Sequence, residues 1–158
     1  MATLDELADA GLLVKIDGGL DDAEQPERRL FAYPHVIDWF ENVLPGAAAD
    51  MGDGSQTPIQ QLDDLLHLYV SGADLSFFER SHSMQPDDRG VWELKTTDLR
   101  LFGWFRRKNA SVIAEVDTAY RCKLHGLYGG YRDSVERRRQ NLDLDEPKFI
   151  IGKYDDVL

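Results

Sequence analysis

Val91-Trp92-Glu93-Leu94-Lys95, Leu99-Arg100-Leu101-Phe102-Gly103-Trp104-Phe105 and Ser111-Val112-Ile113-Ala114-Glu115-Val116 decide the fold of this chain. Each segment is rich in aromatic and branched residues and is bounded by polar turns, the pattern of a strand. Thr96 to Asp98 and Arg107-Lys108-Asn109 are short connections, and short connections imply an antiparallel meander. Lys95, Arg100, Arg106, Arg107 and Lys108 sit in and beside these strands. They are placed to line a sheet face with positive charge, and such a face can hold a phosphate backbone.

Upstream of the meander, Arg29-Leu30-Phe31-Ala32-Tyr33 suits a first strand that Pro34 ends. His35 to Leu44 carries Val36, Ile37, Phe40, Val43 and Leu44 at helical spacing, and Pro45-Gly46 stops it. Thr57 is a capping residue, and Pro58 stands at the first helical position, where its missing N–H is harmless. Ile59, Leu62, Leu65, Leu66 and Tyr69 then form an apolar stripe. Residues 46–57 and 73–90 read as loops. Downstream, residues 120–130 read as an aromatic, glycine-containing loop. Tyr131 to Leu144 reads as a basic helix, and Phe149-Ile150-Ile151-Gly152 as a last short strand.

The expected fold is therefore α+β. A small antiparallel sheet, three meander strands plus an N-terminal strand, carries two helices before it and one basic helix after it, packed on one face. Residues 1–28 form an acidic N-terminal extension with a short helix around Leu4, Leu7 and Ala8 and an apolar patch from Leu12 to Ile16. Residues 29–145 form the domain, and residues 146–158 a C-terminal tail. A chain of 158 residues suits one such domain.

The net charge of −11 opposes simple nucleic-acid binding, but the charge is unevenly distributed. Residues 1–88 hold 4 Lys and Arg against 18 Asp and Glu, a balance of −14. Residues 89–140 hold 12 against 6, a balance of +6. The acidic half either keeps the protein soluble or presents a surface of its own to a basic partner. The acidic start lacks the basic region of a signal peptide, and no run reaches a membrane span, so the expectation is a cytoplasmic protein without membrane contact. One cysteine and four scattered histidines offer no disulfide and no metal-ligand spacing, and no cofactor is expected.

The order of elements and the motif residues resemble the RelE/ParE superfamily of toxins, in particular its phage-derived, HigB-like branch. Val91-Trp92-Glu93-Leu94-Lys95 stands where that family has an apolar-Glu-Leu-Arg strand. Leu99 to Phe105 stands where it has Tyr-Arg followed by alternating apolar and aromatic residues. Arg121 to His125 and Tyr131 to Gln140 look like its basic loop and closing helix. The similarity spans residues 29–140. Two features depart from the pattern: Lys95 replaces the family's Arg, losing its bidentate fork, and the chain is acidic where ribosome-entering toxins are basic.

The resemblance implies a ribosome-dependent mRNA endonuclease, encoded by a phage or mobile element and held by an antitoxin protein. Its partners would be the antitoxin, the ribosome and mRNA. Cleavage by a neighbouring 2′-hydroxyl needs a base, an acid and cations for the developing charge, and no metal. Lys95, Arg100 and Arg106 are the candidates for charge stabilisation. Lys123 and His125 are candidates for proton transfer, and Tyr128 or Tyr131 for base stacking or proton donation. Each has a plainer alternative. Arg100 points away from Leu99 and Leu101 and can simply pair with Glu93 across the turn. Arg106 belongs to a basic turn, His125 can be structural, and His35, His67 and His82 read as structural or surface residues. The rival function is a catalytically inactive RelE-like fold that acts as an acidic inhibitor or phage accessory protein.

Overall fold

The computed structural model describes residues 1–21, 23–52, 54–76 and 80–158. Asp22 of the expected acidic loop, Asp53, and residues 77–79 of the expected 73–90 loop lie outside the described residues. The helices are α1 (Leu4–Asp9), α2 (Pro34–Asn42), α3 (Pro58–Val70), α4 (Ala119–His125), α5 (Tyr128–Asn141) and α6 (Tyr154–Val157). The strands are β1 (Val14–Ile16), β2 (Arg29–Ala32), β3 (Ser81–Ser83), β4 (Trp92–Lys95), β5 (Leu99–Arg107) and β6 (Ala110–Thr118).

The fold is α+β, around one mixed sheet of six strands in the order β1-β2-β6-β5-β4-β3. The meander β4-β5-β6 is antiparallel, as its short turns require. Three features correct the sequence reading. First, the N-terminal strand β2 runs parallel to β6, with Leu30 opposite Ser111 and Ala32 opposite Ile113. Leu30, Phe31 and Ala32 are all fully buried. This continuous apolar run suits an inner strand covered on both faces, and such a run carries no signal of direction. Second, β1 and β3 extend the sheet at its two edges, β1 against β2 and β3 against β4. Third, helices cover both faces. Side chains from α2 and α3 pack with Leu94, Leu101 and Ile113 on one face. Those from α1, α4 and α5 pack with Phe31, Phe102 and Val112 on the other.

The stretch from Tyr120 to Gly130, expected as a loop, is instead α4 and the start of α5. Thr118 caps α4 by accepting from the Arg121 N–H at 3.2 Å. Gly126 ends it at φ +62°. Tyr128, Tyr131, Val135 and Leu142 then recur at helical spacing against the sheet, so tertiary burial overrides Gly129 and Gly130 at the start of α5. Phe149 to Gly152 forms no strand, although the Ile150 N–H donates to Phe105 O at 2.9 Å.

Both ends of the chain are sewn to the sheet. Leu4, Leu7 and Leu13 are buried beneath the α5 side, and Asp5 pairs with Arg29. The Asn109 N–H in the β5–β6 turn donates to Val157 O at 2.8 Å, and Val157 is fully buried. Within β5, register slips between Phe102 and Gly103. Here only glycine fits, because a Cβ on Gly103 would stand 1.9 Å from Val112 O. Gly103→Ala is therefore expected to cost about 3 kcal/mol, the upper end for overpacking, and to lower Tm by roughly 6–12 °C. Thermal unfolding of the purified protein checks this; an unchanged Tm would mean that the bulge relaxes freely.

Candidate functional site

Alternation along the meander sends Trp92, Leu94, Leu99 and Leu101 to the α2–α3 side. Glu93, Lys95, Arg100, Glu115 and Asp117 must then face the α4–α5 layer. Register turns them into two cross-strand rows. Lys95, Arg100 and Asp117 stand opposite one another on β4, β5 and β6. His82, Glu93, Phe102 and Glu115 form the adjacent row from β3 to β6.

Glu93 is the centre of the first cluster. It is 3% exposed, and its two oxygens face two different basic side chains. Oε1 lies 3.2 Å from Arg100 Nε, and Oε2 lies 3.3 Å from His82 Nε2. Arg100 is itself buried and donates from Nη1 to Thr96 O at 2.6 Å and Leu99 O at 2.9 Å. The plainer reading of Arg100, an ion pair with Glu93, is thus present in the fold. The Glu93 hydrogen bond raises the His82 pKa above its usual 6.5, outweighing partial burial. His82 therefore keeps its proton further toward neutrality than an ordinary histidine.

A groove of about 500 Å³ opens above this cluster, between β3–β4 and α4–α5. His82, Lys95, Arg100, Lys123, Tyr128 and Arg132 line it. Tyr128 is held edge-on against Phe102, with ring centres 6.1 Å apart. The Arg132 guanidinium is anchored by donating to Gln85 O at 2.9 Å. Four permanent cations thus meet one buried carboxylate, on a chain whose overall charge is −11. The cations outnumber Glu93, the one carboxylate in the lining, although Arg132 also pairs with Asp133 at 3.2 Å, so the groove's field favours anions.

Four of the six sequence candidates, Lys95, Arg100, Lys123 and Tyr128, share this groove. Arg106 does not line it; it stands at the second β5 irregularity, beside the β5–β6 turn. His125 does not line it either, and is the exposed last residue of α4. Tyr131, the alternative to Tyr128, stacks on Phe102 at 5.1 Å and donates to Asp117 Oδ2 at 2.6 Å. Burial and Asp117 together push its phenol far above the ordinary value. It faces a separate cleft with His35 and Trp39. The Cys122 thiol, on the buried side of α4, is pushed up to about 12 by desolvation, which disfavours the nucleophilic thiolate.

His82 and Arg132 are the groove residues that sequence reasoning passed over. β3 is three residues long and polar, so no periodic signal marks it. Its one available clue was Glu93, a carboxylate in a buried strand that needed a partner. Among the described residues, no group of three His, Cys, Asp or Glu side chains stands close enough to hold a metal ion. No helix among them is long and apolar enough to cross a membrane. Comparison of the chain with protein-family models, with curated proteins and with solved structures found no match.

Two predictions test the cluster. Arg100→Ala strands the Glu93 carboxylate out of water and is expected to cost about 3–5 kcal/mol in urea unfolding. The double variant Glu93→Gln with Arg100→Met should recover much of that loss, because no buried charge is left over. If the double variant is as unstable as Arg100→Ala, packing rather than charge explains the loss. His82 binds its proton more tightly in the folded than in the unfolded chain, since its folded pKa is raised. Its stabilising contribution is fully present below the unfolded value of 6.5 and fades as pH rises through the folded value. His82→Ala should therefore lower Tm more at about pH 5.5 than at about pH 8.5; an equal drop at both would remove the Glu93 partnership.

Proposed function

We propose that this protein is a RelE-like toxin that cleaves mRNA on the ribosome, with the RNA backbone seated in the groove beneath α5 and a partner antitoxin restraining it. The observation that carries this reading is the convergence of Lys95, Arg100, Lys123 and Arg132 on one groove with His82 and Tyr128. The order strand, two helices and three-strand meander from β2 to β6 supports the reading, although the edge strand β3 intervenes and α4 stands where the family pattern has a basic loop.

The chemistry follows from the residues present. The 2′-oxygen attacks the neighbouring phosphorus and the bond to the 5′-oxygen breaks, leaving a cyclic phosphate. Negative charge grows on the non-bridging oxygens, where Lys95 and Lys123 stabilise it. The 2′-hydroxyl proton leaves to water in the open groove, because Lys123, held as a cation, has no lone pair with which to accept it. His82, whose pKa the Glu93 hydrogen bond raises, gives a proton to the departing 5′-oxygen. Tyr128 offers its ring to a splayed base. Arg100 acts mainly by holding Glu93, and through it His82, in place. A second reading, an inactive fold that binds a basic protein, draws on the balance of −14 in residues 1–88 and on exposed Asp38, Glu41, Asp63 and Asp64.

Induced expression in a bacterial host, with growth and transcript integrity followed together, separates the two. Arrest with cut transcripts is expected, and the Lys95→Ala/Lys123→Ala double variant and His82→Ala should each reduce cutting at least tenfold while remaining soluble. Normal growth with intact transcripts from soluble wild-type protein would sink the nuclease reading. Loss of partner capture on charge reversal at Asp38, Glu41 and Asp63 would then favour the binding reading.

A further inference from the structure

Lys95 and Arg100 form a wall with two sides. Beyond them, away from α5, lies a second cleft of about 430 Å³ between the start of α3 and the β4–β5 turn. Its walls include Arg80, Asp64, Gln56 and Leu65. The same two cations line both spaces, so a strand of RNA whose phosphate rests at Lys95 can drop a neighbouring base over the wall.

The floor of this cleft is rigid. Gln61 is buried and donates from Nε2 to Asp98 Oδ2 at 2.6 Å. Its Oε1 accepts from Thr96 Oγ1 and from the Asp98 N–H, both at 2.9 Å. Asp98 Oδ1 in turn accepts from the Met51 N–H at 2.8 Å. With Gln61 spent on structure, recognition falls to Asp64 and Gln56 at the rim. Gln56 Nε2 donates to Asp64 Oδ2 at 2.8 Å and so fixes the carboxylate's orientation. Each carboxylate oxygen has a further lone pair to offer.

We infer that this second cleft is a base-reading pocket that selects guanine, with the Asp64 carboxylate accepting from the N1–H and the 2-amino group. An ionised carboxylate is acceptor-only. Among the four bases, guanine alone presents two adjacent N–H donors on its Watson–Crick edge. Adenine, cytosine and uracil each turn at least one acceptor toward Asp64, at the cost of a repulsive contact. The Arg80 guanidinium supplies a plane on which a base can stack. The inference rests on the nuclease reading, since it assigns specificity to that same RNA path.

The test maps the ends of cut transcripts in cells expressing the intact chain, wild type or Asp64→Asn. Asn at this position replaces one acceptor with a donor and opposes guanine. Wild-type cuts should carry guanine at one fixed position beside the break. In Asp64→Asn that guanine enrichment should fall at least tenfold relative to sites carrying adenine there. Asp64 is exposed, so the variant should unfold at the wild-type temperature, which a thermal melt verifies. Cuts without base preference, or a guanine preference unchanged by the substitution, would overturn the pocket and leave the nuclease reading standing. Absence of cuts with soluble wild-type protein would overturn both.

Discussion

Glu93 is a carboxylate removed almost wholly from water, and it is tolerated there because Arg100 and His82 face its two oxygens at 3.2 and 3.3 Å. An isolated buried charge would be far too costly. The cluster therefore couples three strands: β3 supplies the histidine, β4 the carboxylate and β5 the guanidinium. It also makes the β4–β5 turn obligatory, since Arg100 Nη1 donates to Thr96 O and Leu99 O. Gln61 and Asp98 tie the same turn to α3. The groove on one side and the second cleft on the other take their shape from this one fixed corner.

The same constraint explains how an acidic chain can maintain a cationic groove. Most acidic residues lie in the first 88 positions, before the meander in the sequence. The acids that do lie on the groove face of the sheet are consumed locally. Glu115 accepts from Arg138 and Ser134, and Asp117 from Arg121 and Tyr131. Lys95, Lys123 and Arg132 line the opening, Arg132 while paired with Asp133. Local pairing, not net charge, sets the sign of the potential inside a cleft.

Much of the architecture was legible in the sequence because its causes are short-range. The meander followed from alternation and two short turns. α3 followed from Thr57, Pro58 and the stripe from Ile59 to Tyr69, and Thr57 does accept from the Gln60 N–H as a cap. What escaped was short or contradictory in local signal. β3 spans three polar residues, and Gly129 and Gly130 disguised the first turn of α5. Arg106 and His125 were chosen for their chemistry, yet the β5 irregularity and the end of α4 leave them outside the groove.

By itself the sequence determined that Lys95 and Arg100 flank one tight turn, and that they face away from Leu94, Leu99 and Leu101. A period of two along a strand settles which side of the sheet a residue takes. Tertiary structure decided which residues wait on that side. Lys123, Tyr128 and Arg132 reach the groove only because α4 and α5 fold back over the sheet, and His82 only because β3 pairs in register with Glu93. The direction of β2 was decided in the same way, by the path of the chain through α2 and α3 and not by its own residues. Contacts between distant segments depend on register and on the packing of whole layers, and neither leaves a mark on the spacing of neighbouring residues.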